Sequence, residues 1–213
     1  MDKILLKVPF AEKDQAKALG ARWDPNLKSW YILPAQDKGA FSRWLPVDPE
    51  LLPYNITSEG GQFYILKGKR KCFSCKKETQ VFTFALNPYW YFDPEYEAED
   101  DEDKWDLVND LVMIHYVRRL NEAAQAVMKK FTQSYNCDHS GTIDDAYYAN
   151  HCENCGKLQG DFFLFEDFDD GFIVTTPEAA AHMTLYKVKG FLEAYADFQD
   201  VPFAEYIPVQ EIT

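Results

Sequence analysis

Apolar and polar positions along the chain change period several times, and each change predicts an element. Ile4 to Val8 is a mostly apolar run stopped by Pro9, the pattern of a short strand. From Ala11 to Leu19 the apolar residues recur at helical spacing, and Gly20 follows as a terminator. Asp24-Pro25-Asn26 reads as a turn, Ser29 to Leu33 as a returning strand, and Asp37 to Trp44 as a second short helix closed by Leu45-Pro46. Residues 1–47 therefore read as a small strand–helix–strand–helix module, and residues 48–60 as a linker.

From Gly61 the pattern reads strand, knuckle, strand, in QFYILKGKRKCFSCKKETQVFTFAL. The next strong period is helical. Trp105, Val108, Leu111/Val112, His115/Tyr116, Leu120, Ala124, Val127 and Phe131 trace one face at spacings of three and four, which predicts a long helix over about 104–131. A second knuckle follows in ANHCENCGKLQGDFFLF, with a strand expected at Phe162 to Phe165. Thr176-Pro177-Glu178 has the form of a helix start, and the tail reads as two further strands. The expected fold class is α+β: the small N-terminal module, then a zinc-ribbon-based β domain over 61–213 with the long helix inserted.

The knuckles carry the clearest chemistry. Cys72-x-x-Cys75 and Cys152-x-x-Cys155 supply four thiolates, the ligand set of a structural zinc. Gly156 suits the bend after the second pair, because glycine tolerates the positive φ that such a turn requires. Seventy-six residues separate the pairs, far more than the roughly 20 of an ordinary ribbon, so the ribbon is read as split by the helical insertion. The rival readings are two reduced pairs that merely lie close and a redox-active Cys-x-x-Cys. Cys137 is the odd thiol, read as free rather than as a spare ligand; His151 is a candidate neighbour of the site and His115 a core residue.

Charge divides the chain. Residues 1–77 hold 14 cations against 8 carboxylates, and residues 78–213 hold 8 against 27, within a total of −13. Arg22, Lys28 and Trp30, with Lys69, Arg70, Lys71, Lys76 and Lys77 around the first knuckle, are the candidate nucleic-acid contacts. The tryptophans of the N-terminal module have a second reading as its core. Glu95, Glu97, Glu99, Asp100, Asp101, Glu102 and Asp103, with Glu166, Asp167, Asp169 and Asp170, form the acidic region that would receive a basic protein. The FEDFDDG stretch lacks the ligand pattern of a calcium loop and reads as an exposed turn. MDKILLKVPF lacks the apolar run of a secretory leader, and no stretch approaches the ~20 apolar residues of a spanning helix, so a soluble cytoplasmic protein is expected.

VPFAEKDQAKALGARWDPNLKSWYI resembles a small bacterial domain of unknown function that stands at the N-terminus of plasmid and mobile-element proteins, including primases of conjugative plasmids. The likeness spans residues 4–46, about a fifth of the chain, and carries no catalytic residues with it. The remainder, with KCFSCKKETQVFTF and YYANHCENCGKLQGDFFLF, is similar to uncharacterised bacterial proteins with a split zinc ribbon. Primase motifs are absent, as are a phosphate-binding loop, a metalloprotease helix motif, a nucleophile elbow and a dinucleotide fingerprint. The leading functional expectation is a non-enzymatic zinc-stabilised protein docking a basic partner, such as an immunity or antitoxin protein that blocks a toxin. A nucleic-acid-binding accessory protein of mobile-element DNA metabolism is the alternative, and a metal-dependent hydrolase the third reading.

Overall fold

Strands, not a long helix, dominate the computed structural model, which describes residues 3–45, 54–92, 105–168 and 170–212. The chain divides into two units, Met1–Leu51 and Leu52–Thr213.

In the first unit, β1 (Ile4–Leu6), α1 (Lys13–Ala18), β2 (Arg22–Asp24) and β3 (Ser29–Ile32) are followed by a 3-10 helix over Lys38–Trp44. The strands form an antiparallel sheet in the order β1-β3-β2. Asp24 closes the β2–β3 turn: its carboxylate accepts the Asn26 and Leu27 amides at 2.9 and 3.1 Å and pairs with Lys3. Leu6, Ala16, Ala21, Ile32, Phe41 and Trp44 make the small core.

The second unit runs β4 (Ile56–Ser58), β5 (Gln62–Lys71), β6 (Glu78–Leu86), β7 (Tyr89–Phe92), β8 (Trp105–Val108), β9 (Val112–Leu120), α2 (Glu122–Phe131), β10 (Tyr135–Ser140), β11 (Asp145–His151) and β12 (Leu158–Gln159). It continues with α3 (Asp161–Phe165), α4 (Pro177–Ala180), β13 (Thr184–Lys189), β14 (Glu193–Asp200) and β15 (Val209–Glu211). These strands form one 12-stranded sheet whose main path is β15-β13-β5-β6-β9-β14-β4-β7-β8; β11 branches from β9 and carries β10 and β12. Both faces of its centre are covered. Phe63, Ile65, Phe82 and Phe84 pack on the side of Ala124 and Met128 from α2, whereas Leu66, Val81 and Ala85 pack with Leu164, Phe172 and Met183. That is why β6 reads as a continuous apolar run rather than alternating.

The α+β expectation with a helix over 104–131 is thus overturned. Residues 105–108 and 112–120 are strands, and only Glu122–Phe131 is helical, capped by the Asn121 side chain. The misleading spacing has a physical origin in β9. Its register with β14 passes from Tyr195↔Arg119 to Asp197↔His115, so three residues of β9 stand opposite Ala196. Tyr116 in this bulge has φ +46°. A bulge breaks the two-residue period and makes buried positions recur at three and four, imitating a helix. The strand expected at Phe162–Phe165 is also corrected. It lies in α3, where Asp161, Leu164 and Phe165 are buried at helical spacing while Phe162 and Phe163 face outward.

Candidate metal centre

Each cysteine pair sits where one strand hands over to the next. Between β5 and β6, the Cys72 amide donates to the Lys77 carbonyl at 2.9 Å and the Lys76 amide to the Cys72 carbonyl at 3.0 Å. Between β11 and β12 the same two bonds recur, Cys152 to Lys157 at 2.9 Å and Gly156 to Cys152 at 2.8 Å. The residue after the second cysteine takes positive φ in both, +63° at Lys76 and +71° at Gly156. The sequence marks only the second with glycine.

What unites two knuckles so distant in sequence is a set of polar side chains. Buried Asn150 binds the backbone of Phe82 from both ends of its amide, accepting its N–H at 2.8 Å and donating to its carbonyl at 2.9 Å. β11 is thereby fastened beside β6. The Glu153 amide donates to Thr79 Oγ1 at 3.0 Å, and Asn154 Nδ2 to the Glu78 carbonyl at 3.0 Å. None of these residues stood out in the sequence. The available signal was a polar Asn150 inside the aromatic run YYANHC.

The result brings all four sulfurs within 4.8 Å of one another, with Cys72–Cys155 and Cys75–Cys152 each at 3.7 Å. These separations are far longer than the ~2.05 Å of a disulfide. They match the edge of about 3.8 Å that a tetrahedron requires when metal–sulfur bonds are near 2.3 Å. Four cysteines so placed can hold a metal ion. Burial would raise the Cys72 thiol, but the Cys75 and Ser74 amides aimed at it hold it below the usual thiol range. Burial opposes ionisation of Cys152 as well, yet the Asn154 and Cys155 amides bring it down to about 6. The Lys157 amide lowers Cys155, but burial and the three neighbouring sulfurs outweigh it and push the thiol up to about 11. A bound cation would remove that last penalty by neutralising the crowded thiolates. Gln159, fully buried, donates to Cys72 Sγ at 3.5 Å and orients the cluster.

The other expected residues are spread over both units. His151 bonds Asp138 at 3.2 Å rather than a sulfur, and Cys137 is an exposed free thiol on β10. His115 lies on β9, stacked on Phe165 at 4.9 Å, and burial lowers its basicity. Around the first knuckle, Lys69, Lys71, Lys76 and Lys77 are exposed, with Lys69 paired to Glu78 at 3.3 Å. Arg70 is only 6% exposed and is paired with Asp170 at 2.8 Å, so unlike the neighbouring lysines it is not presented on the surface. In the N-terminal unit Arg22 and Lys28 are exposed, and Trp30 packs against the core with Trp23 edge-on at 5.8 Å. Glu166 and Asp167 are exposed, whereas Glu95, Glu97, Glu99, Asp100, Asp101, Glu102, Asp103 and Asp169 lie outside the described residues. Among the described residues, no helix is long and apolar enough to cross a membrane.

Residues 3–46 match a family described as a domain of unknown function, DUF5710. Two curated proteins of Escherichia coli, each named DNA primase TraC, are similar to the chain. One is 34% identical over 86 residues, covering 32% of this chain and 8% of that protein. The other is 51% identical over 39 residues, covering 18% and 3%. The chain thus spans less than a tenth of the length of these relatives. No solved structure matches it.

Proposed function

We propose that this chain is a zinc-stabilised binding protein that contacts single-stranded nucleic acid in plasmid or other mobile-element DNA metabolism. Zinc is the ion chosen because four thiolates at tetrahedral spacing form a closed structural site with no position left for a substrate. The observation that carries the nucleic-acid reading is the tip of the first knuckle. Phe73 is 52% exposed there, amid the exposed Lys71, Lys76 and Lys77. An exposed ring for base stacking with cations for phosphates is the elementary unit of single-strand binding. The likeness to proteins named DNA primase supports the same context.

Elemental analysis of the purified chain should find stoichiometric zinc. Anisotropy titrations with labelled oligothymidylate should show affinity falling with salt. A variant carrying Phe73→Ala, Lys76→Glu and Lys77→Glu should bind at least tenfold more weakly, with a shallower salt slope. Equal binding by the variant would sink this reading.

A second reading, docking of a basic protein as an inhibitor or immunity protein would, is favoured by a different surface. The outward side of β14, β4, β7 and β8 carries Glu193, Trp90, Trp105 and Leu107 where an ordinary solvent face would be plainly polar.

A further inference from the structure

The rows of the sheet at its β14-β4-β7-β8 end place Glu193, Thr57, Trp90 and Leu107 side by side in register. Alternate residues, Ile56, Tyr89, Tyr91 and Ala194, face the core around Phe198, so the first row faces out. On this outer side Trp105 is 36% exposed, Leu107 46% and Phe191 48%. Tyr54, Thr57, Trp90, Trp105, Phe191 and Glu193 wall a cleft of about 360 Å³.

Three features define what such a cleft would take. Its walls are aromatic rings, whose faces carry negative potential and attract cations. Glu193 forms part of its wall, and Glu59 accepts the Trp90 indole N–H beside it. Tyr54 already receives a cation from within the chain, the Arg119 guanidinium at 4.3 Å from its ring centre. That internal pair occupies the Tyr54 ring and leaves Trp90 and Trp105 as the remaining indole walls. Glu193 with Glu59 outnumbers the Arg119 cation, so the named charges sum to a net negative. A nucleic-acid backbone would meet repulsion here, whereas a basic polypeptide would be drawn in.

We infer that this cleft is a receptor for an arginine side chain on a basic protein partner, the guanidinium sandwiched by Trp90 and Trp105 and paired with Glu193. The inference rests on the basic-partner reading and gives it an anchor point. Arginine suits the cleft better than lysine because its planar guanidinium stacks on rings and pairs with carboxylate through a fork of donors.

The test uses the full, zinc-loaded chain and a labelled octa-arginine peptide, followed by anisotropy at physiological ionic strength. Octa-citrulline, which keeps the shape without the charge, is the control peptide. Octa-arginine should bind, and Trp105→Ala and Glu193→Gln should each weaken it roughly tenfold. Trp23→Ala, in the other unit, should leave it unchanged. Glu193→Gln keeps the test valid should Trp105→Ala disturb folding. No binding of octa-arginine at all would remove the basic-partner reading itself. Binding unchanged in both cleft variants would leave that reading standing as diffuse attraction and overturn this site. Equal binding of octa-citrulline, oligothymidylate binding that depends on Trp105, or a homodimer lost in Trp105→Ala would each overturn the arginine assignment.

Discussion

At Lys76 and Gly156 the two knuckles make the same turn, φ +63° and +71°, on the same pair of backbone hydrogen bonds. Yet one position bears a long cation and the other no side chain. The first knuckle is flanked by lysines and an exposed phenylalanine, the second by Glu153 and Asn154, which bind the start of β6. One knuckle presents its tip outward while the other commits its tip side chains to assembly. The ligand geometry is common to both and the surroundings are not. A four-cysteine cluster built from two like halves thus does not require the halves to share a task.

The largest effect should come from breaking the common part. Cys72 is buried and receives the Gln159 amide, while Cys155 is exposed. Replacing Cys72 by Ser should cost on the order of 5 kcal/mol and abolish cooperative unfolding of the second unit, because a structural metal held by the proposed site would make binding and folding one equilibrium. Cys155→Ser should cost less, since water can occupy the vacated vertex. Urea unfolding followed by circular dichroism, with and without chelator, ranks the three conditions. A chelator that left the midpoint unmoved would show that the metal is not structural.

A smaller effect sharpens the contrast between the segments that the two knuckles lead into. The first leads into nine residues of β6; the second leads into only two residues of β12, after which the chain turns into α3 at Asp161. That carboxyl accepts the amide of Tyr116, the bulged residue of β9, at 2.7 Å. Burial, with Asp197 nearby, raises its pKa from 3.8 to about 7 although the Tyr116 amide pulls the other way. The folded state therefore holds this proton at pH values where the unfolded chain has released it. The stability it confers is full below about pH 4 and is lost as pH rises through about 7, on the order of 4 kcal/mol in all. Asp161→Asn keeps an acceptor for Tyr116 without the titration. Its stability relative to the native chain should rise steadily from pH 4 to 7, leaving it the more stable protein at pH 8. Asp161→Ala should lose about 1–3 kcal/mol at pH 5, because the bulge amide is left buried without an acceptor. A constant difference between the Asn variant and the native chain across this range would refute the assignment.

The same contrast explains what was legible in the sequence. The four cysteines were readable because their spacing is local: each pair needs only its own turn. Their juxtaposition was inferred from ligand arithmetic. The means of it, Asn150 on Phe82 and Glu153 on Thr79, joins residues more than 65 positions apart and leaves no periodic trace. The β9 bulge did worse than leave no trace. By placing three residues opposite one it wrote a helical spacing into a strand, and composition (Val112, Ile114, Val117) was the better guide there than period. In the N-terminal unit the turn at Asp24 and the stop at Gly20 are each decided by a few adjacent residues, and the short β2 between them was the element without a pattern of its own.

The smallest effect isolates the turn itself. A Cβ built on Gly156 meets no atom within 4 Å, so an alanine there is opposed by backbone conformation alone. Gly156→Ala should destabilise the protein by about 1 kcal/mol, the cost of a left-handed conformation for a residue with a side chain. Lys76→Gly makes the opposite exchange: it relieves that strain but gives the unfolded chain more freedom to lose. The two terms are of similar size, and the net change should stay within about 0.5 kcal/mol. Because the two positions share one turn, the difference between the two substitutions measures how far the first knuckle tolerates strain to keep a cation at its tip. Urea midpoints of both variants give that difference directly. Equal losses at Gly156 and Lys76 would mean that the lysine side chain, whose ammonium reaches the Phe73 carbonyl at 2.5 Å, stabilises the turn as well as charging it.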